Sequence, residues 1–108
     1  MKLPLLEQAI IEQAKIADYL LSEENSDGKA AFFYAFGFRL QMWTLLRDAL
    51  LEHARRHEVV EVSETQHGTK FRIEGELTTP VGRMVSVRAI WIVDTGKDYP
   101  RLVTAYPL

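Results

Sequence analysis

Thr104 and Tyr106 stand two residues apart in the closing run RLVTAYPL, Arg88 interrupts the apolar run MVSVRAIWIVD, and Lys29 follows the polar turn SEENSDG. Two cations and two hydroxyls are the groups that cleave a phosphate ester without a metal. Guanidinium and ammonium stabilise the charge that develops on the phosphorane oxygens, and a hydroxyl positions the nucleophile or transfers a proton. Lys70, Arg72 and Arg101 are further cations that could hold the rest of an anionic ligand. Arg88 is the most informative of the set. An unpaired guanidinium inside an apolar strand carries a heavy desolvation cost, so Arg88 needs a partner, with a glutamate as the plain structural candidate, or must open onto a groove.

The other chemical signals are weaker. His53 and His57 lie one helical turn apart beside Glu52, a spacing that could hold a metal, but no HExxH occurs and solvated helix positions are the expectation for both. His67 falls in the turn QHGT and is expected at the surface. Glu61, Glu64, Glu74 and Glu76 alternate with Lys70 and Arg72, which is how a solvated sheet face is written. No P-loop, GxGxxG or GxSxG is present, which disfavours the common nucleotide-dependent enzymes and serine hydrolases. With no cysteine, disulfides, zinc thiolate sites and Cys nucleophiles are excluded. Neither a metal nor a cofactor is expected.

The elements that must position these residues divide the chain in two. Between Leu5 and Leu21 the residues Leu6, Ile10, Ala14, Ala17 and Leu21 recur at spacings of three and four, which predicts one helix. SEENSDG ends it, and Ser26 or Asp27 can cap a second helix through KAAFFYAF to Gly37, apolar nearly all round and therefore predicted to be buried. A third helix is predicted from about Leu40 to His57, with Trp43, Leu46, Leu50 and Ala54 on one side and Arg55, Arg56 and His57 where the helix dipole favours cations.

After His57 the period changes to two. EVVEVSE and KFRIEGEL are predicted to pair through QHGT, and Phe71, Ile73, Gly75 and Leu77 share the buried face of the second strand. TTPVGR leads to a central strand, MVSVRAIWIVD, and TGKDYP to the last one. Arg88 and Trp91 are three apart and point to opposite faces, so Trp91 is core if Arg88 lines the free face. On strict alternation Thr104 and Tyr106 share a face with Leu102, and Arg101, Val103 and Ala105 share the other; which set meets the helices is open from the sequence.

The predicted architecture is α+β: three N-terminal helices packed on one face of a four-stranded antiparallel β-meander, leaving the other face free. Its 108 residues suit one domain, 1–108, since a chain of this length buries roughly two-thirds of its unfolded surface around one core. No stretch approaches the roughly 20 apolar residues that cross a bilayer, and the opening MKLPLLEQAI lacks the features of a signal peptide, so a soluble cytoplasmic protein with no membrane contact is expected. Thirteen basic and fifteen acidic side chains leave a net charge of −2, without the positive field of a general nucleic-acid binder. RNA, held at a local basic cup, or a partner protein, met through the free sheet face or an edge strand, are the two candidate partners; a homodimer through the second helix or edge strands is the third arrangement considered.

The segments AKIADYLLS, GKAAFFYAFGF, RAIWIVDTG and YPRLVTAYPL resemble a bacterial family of uncharacterised domains, over nearly the whole chain. That resemblance implies a relation to domains found near phage-head and polymorphic-toxin proteins and implies no activity. The chain departs from the family pattern before Lys29, where ENSDG replaces a His-Pro and Gly-Arg-His run, so a catalytic base supplied by that histidine would be missing. Helices followed by an antiparallel meander are also similar to the barnase, EndoU, colicin and RelE group of small ribonuclease toxins, a likeness of fold that does not fix function.

Overall fold

The computed structural model describes residues 1–108. Four strands, β1 (Val59–Thr65), β2 (Gly68–Thr78), β3 (Met84–Asp94) and β4 (Pro100–Pro107), form an antiparallel sheet in the order β1-β2-β3-β4. The period-two pattern is carried into burial: Phe71, Ile73 and Leu77 of β2 and Val87, Ala89 and Trp91 of β3 turn to one face and are buried. Trp91 is fully enclosed, which places Arg88 on the opposite, outer face.

Three helices cover the inner face. α1 begins at Gln13–Lys15 and continues as a π-helical turn over Ile16–Leu20; α2 spans Lys29–Ala35; α3 spans Trp43–Arg56 after a 3₁₀ turn at Leu40–Met42. Leu46, Leu50 and Ala54 of α3 join Ile16, Leu20, Phe33 and the inward sheet residues in one apolar core. Burial of this apolar surface is the main stabilising term, about 25 cal/mol per Å² removed from water. No helix is long and apolar enough to cross a membrane.

Four sequence expectations are corrected. The helix predicted from Leu5 to Leu21 is broken: Leu5 takes a left-handed conformation (φ 56°), Leu6–Gln8 makes a single 3₁₀ turn, and Ile10 is extended beside Arg101. The Ile10 amide donates to the Pro100 carbonyl at 2.9 Å and the Leu102 amide to the Ile10 carbonyl at 3.2 Å, so pairing along the edge of β4 wins over helix propensity there. α2 is only half-buried, because it sits at the β4 end of the sheet; Ala30 and Phe33 are enclosed while Ala31 and Ala35 face water. Its cap residue is Gly28 rather than Ser26 or Asp27, and the Ser26 hydroxyl, two residues earlier, accepts from the Ala30 amide at 2.9 Å.

His53 is the third correction. It is not solvated but 1% exposed, and its Nε2 lies 3.1 Å from the Gly75 carbonyl and 3.2 Å from the Val87 carbonyl. Both partners are acceptors, so Nε2 carries the proton and the ring is a neutral cross-brace between α3 and the sheet. His57, packed edge-on to it at 4.9 Å between centroids, is half-buried and donates from Nε2 to the Glu76 carbonyl at 2.8 Å.

The fourth concerns the parity of β4. Leu102 pairs with Trp91 and Thr104 with Ile90, leaving Val103 as an extra residue in a β-bulge. Alternation is interrupted at that residue. Leu102 and Ala105 therefore face the core, whereas Arg101, Thr104 and Tyr106 lie with Ile92, Ile90 and Arg88 on the outer face.

Candidate functional site

The sheet register sets the outer face in rows. Glu74, Arg88 and Tyr106 stand opposite one another across β2, β3 and β4; the next row is Arg72, Ile90 and Thr104; the next is Lys70, Ile92 and Arg101. Successive rows are two residues apart along a strand, about 7 Å. Six of the seven residues singled out in the sequence thus share one face, and the seventh, Lys29, reaches it from the start of α2.

Lys29 arrives there because Gly28 takes a positive φ of 88° and turns the chain into α2 beside the end of β4. Its Nζ donates to the Ser26 carbonyl at 3.3 Å and lies 5.6 Å from the Tyr19 ring centroid and 5.9 Å from that of Tyr106. The ammonium is held between two electron-rich faces, an arrangement that attracts a cation without neutralising it. Tyr19, in the π-helical turn of α1, hydrogen-bonds through its hydroxyl to the Thr104 hydroxyl at 3.0 Å. Burial raises the Tyr19 phenol pKa, but the bond to Thr104 and the ammonium groups of Lys29 and Lys15 together outweigh it and leave the pKa below the ordinary value of 10.0.

Arg88 has the glutamate partner that the plain structural account called for. Its Nε donates to Glu74 Oε2 at 2.6 Å, and its guanidinium carbon lies 5.7 Å from the Tyr106 ring centroid. The Tyr106 hydroxyl first, and Glu74 second, hold the guanidinium more firmly in its cationic form. Arg88 is nonetheless half-exposed, so the ion pair lies at the wall of an accessible face and not in the core. Arg72 extends the chain of charges, 3.5 Å from Glu74 on one side and 3.5 Å from Glu61 on the other. Lys70 is exposed one row away.

Arg101 is set apart. Asp94 holds it by two hydrogen bonds, of 2.6 and 3.1 Å, which lower the pKa of the carboxyl and raise that of the guanidinium. With Lys15 and Tyr19 it lines a cavity of about 360 Å³ between α1 and β4. Tyr19 is the residue that sequence reasoning did not single out. Its local signal was the Lys15–Tyr19 spacing of four, which puts the Lys15 ammonium 5.0 Å from the ring; its partner Thr104 is 85 residues away.

At the β4 end of the sheet, Lys29 and Arg88 each lie against the Tyr106 ring, and the hydrogen-bonded hydroxyls of Tyr19 and Thr104 stand one row away. Such a group can bind an anion, stabilise further negative charge on it, and exchange protons through the hydroxyls.

A helices-then-meander α+β domain with a cation–hydroxyl face is the class that the fold and this geometry define. The chain belongs to the family described as a domain of unknown function, DUF6883, whose pattern matches residues 2–108. No protein of curated function matches it in sequence. Among solved structures, a chain of the contact-dependent growth inhibition toxin–immunity protein complex from Klebsiella pneumoniae 342 is similar in fold, with a TM-score of 0.73 over 95% of this chain and 96% of that chain, at 13% sequence identity.

Proposed function

We propose that the protein is a metal-independent endoribonuclease of toxin type. The observation that carries this reading is the bulge at Val103, which turns Thr104 and Tyr106 to the face of Arg88 and sets the Tyr106 ring against both Arg88 and Lys29, with Thr104 in the next row. Arg88 and Lys29 bind the scissile phosphate and stabilise the phosphorane, while Tyr106 or Thr104 orients the attacking 2′-hydroxyl or serves in proton transfer. Attack by that oxygen on phosphorus expels the 5′-oxygen of the next nucleotide, giving a 2′,3′-cyclic phosphate and a 5′-hydroxyl. The likeness of fold to a chain of a toxin–immunity complex supports a toxin-related role. Incubating the pure protein with tRNA and total RNA in EDTA tests the reading. Cleavage that is lost in Arg88→Ala is expected, and no cleavage above that variant would overturn it.

A second reading, a non-catalytic module that binds a partner protein, is favoured by one observation. β1 is an open edge strand, and its Val60 and Val62 are 52% and 47% exposed. A stable one-to-one complex recovered at native expression, together with silence in the RNA assay, would decide for it.

A further inference from the structure

Beside the phosphate-type cluster lies a second hollow, of about 380 Å³, bounded by Asp27, Gly28, Lys29, Phe32, Tyr106 and Pro107. That volume is at the lower end of small-ligand sites, about 300–1,000 Å³. Lys29 and Tyr106 belong to both, so whatever fills the hollow adjoins a group bound at Arg88. Phe32 follows Lys29 at helical spacing of three on α2, which places its ring on the same side as the ammonium. Two aromatic rings and a proline make flat apolar walls.

Asp27 is the unexpected member. It is exposed, its carboxylate has neither a hydrogen bond nor an ion pair, and its backbone holds the left-handed conformation (φ 56°) that costs a non-glycine residue free energy. A carboxylate at this position repels phosphate. It accepts hydrogen bonds from N–H groups, and a hollow with two aromatic walls beside the Lys29 ammonium, rimmed by this carboxylate, fits the base of a nucleotide.

We propose that this hollow is a nucleobase subsite that stacks a base against Phe32 and Tyr106 and reads its N–H donors with the Asp27 carboxylate. Guanine, with adjacent N1–H and N2–H₂ donors for the two carboxylate oxygens, is preferred, and uracil, with a single N–H between two carbonyls, is disfavoured. The subsite rests on the ribonuclease reading only for the placement of the phosphate at Lys29 and Arg88.

Titration of the full chain with guanosine 3′-monophosphate and with uridine 3′-monophosphate, followed by calorimetry and by amide shifts, reads the subsite without any cleavage. The guanosine nucleotide should bind about tenfold more tightly, the effect of one two-pronged hydrogen-bonded contact, and shift the amides of Gly28, Phe32 and Tyr106. Asp27→Asn, which suits the left-handed backbone, should bring the two affinities within about twofold, and Phe32→Leu should weaken both. Equal affinity for the two nucleotides, no binding of either, or a preference unchanged in Asp27→Asn overturns the subsite. RNA cleavage with no nucleotide preference removes the subsite and spares the ribonuclease reading; nucleotide preference without RNA cleavage does the reverse.

Discussion

Leu102 and Thr104 are separated by one residue and face opposite sides of the sheet. Leu102 is buried opposite Trp91, whereas Thr104 stands on the outer face opposite Ile90 with its hydroxyl on Tyr19. The inserted Val103 does this, and the outward placement of Thr104 and Tyr106 depends on it. A strand of strict alternation could not put Leu102 into the core and Tyr106 beside Arg88 at once.

The bulge makes a prediction about deletions. Removing Val103 leaves Leu102 opposite Trp91 and Thr104 opposite Ile90, so the register and both faces survive, at the loss of one partly buried side chain, on the order of 1 kcal/mol. Removing Ala105 instead places Tyr106 opposite Ala89 and drives its phenol into the core. The first variant should melt cooperatively near the parent and the second should not fold. Thermal unfolding followed by circular dichroism distinguishes them, and equal damage from both deletions would refute this account of the strand.

Tyr19→Phe removes one hydroxyl without changing ring volume. The variant should lose about 0.5–1.5 kcal/mol, the net worth of an ordinary hydrogen bond, in urea denaturation. In the RNA assay it has a second consequence. The neutral phenol is the form that can donate to Thr104 or to substrate, and its pKa lies below 10.0. Activity should therefore fall on the alkaline side as pH rises through that lowered value, and Tyr19→Phe should flatten this limb. An unchanged alkaline limb would show that Tyr19 only props Thr104.

Glu74 competes with any ligand for Arg88. Because the pair is half-exposed, its replacement should disturb stability little. Glu74→Gln should free the guanidinium and tighten inorganic phosphate binding about threefold, measured by amide shifts, whereas Arg88→Gln should abolish it. Weaker phosphate binding in Glu74→Gln would mean that the carboxylate orients Arg88 for its ligand.

Much of this fold was legible because it is written in local periodicity. KFRIEGEL alternates without fault, and Phe71, Ile73 and Leu77 are buried as expected. The errors fall where distant contacts override local pattern. Ile10 fits a helical face in sequence, yet pairing with β4 draws it into extended backbone. His53 looks like a polar helix position, but two sheet carbonyls, at Gly75 and Val87, satisfy it inside the core. The outward set of Arg88, Thr104 and Tyr106 could be named but not placed, because a bulge is a relation between two strands and Val103 alone carries no mark of it.

Gly75 is the close-approach point between the α3 end and the sheet. A methyl group there would lie 2.5 Å from Cγ and Nδ1 of His57. Gly75→Ala must push that ring away from the Glu76 carbonyl and should cost about 1–3 kcal/mol, the usual range for overpacking. His57→Ala opens the space. The double variant Gly75→Ala/His57→Ala should be less destabilised than the sum of its single variants by at least about 1 kcal/mol, and strict additivity in chemical denaturation would sink the steric account.

His53 should make the fold sensitive to acid. Burial lowers its pKa below the ordinary value of 6.5, and the neighbouring His57 and Arg56 charges act the same way, against the two carbonyls that favour the cation. Above about pH 6.5 the residue is neutral in both states and contributes its full stability. As the pH falls below that point the unfolded chain takes up a proton that the native state refuses, and stability drops by up to about 1.4 kcal/mol per pH unit until the native pKa is reached. His53→Gln keeps an N–H donor near the two carbonyls and removes the titration. Urea denaturation at pH 7.5, 6.0 and 5.0 should show a shallower loss for this variant than for the parent, by about one proton in the linkage slope; parallel losses would place the acid sensitivity elsewhere in the molecule.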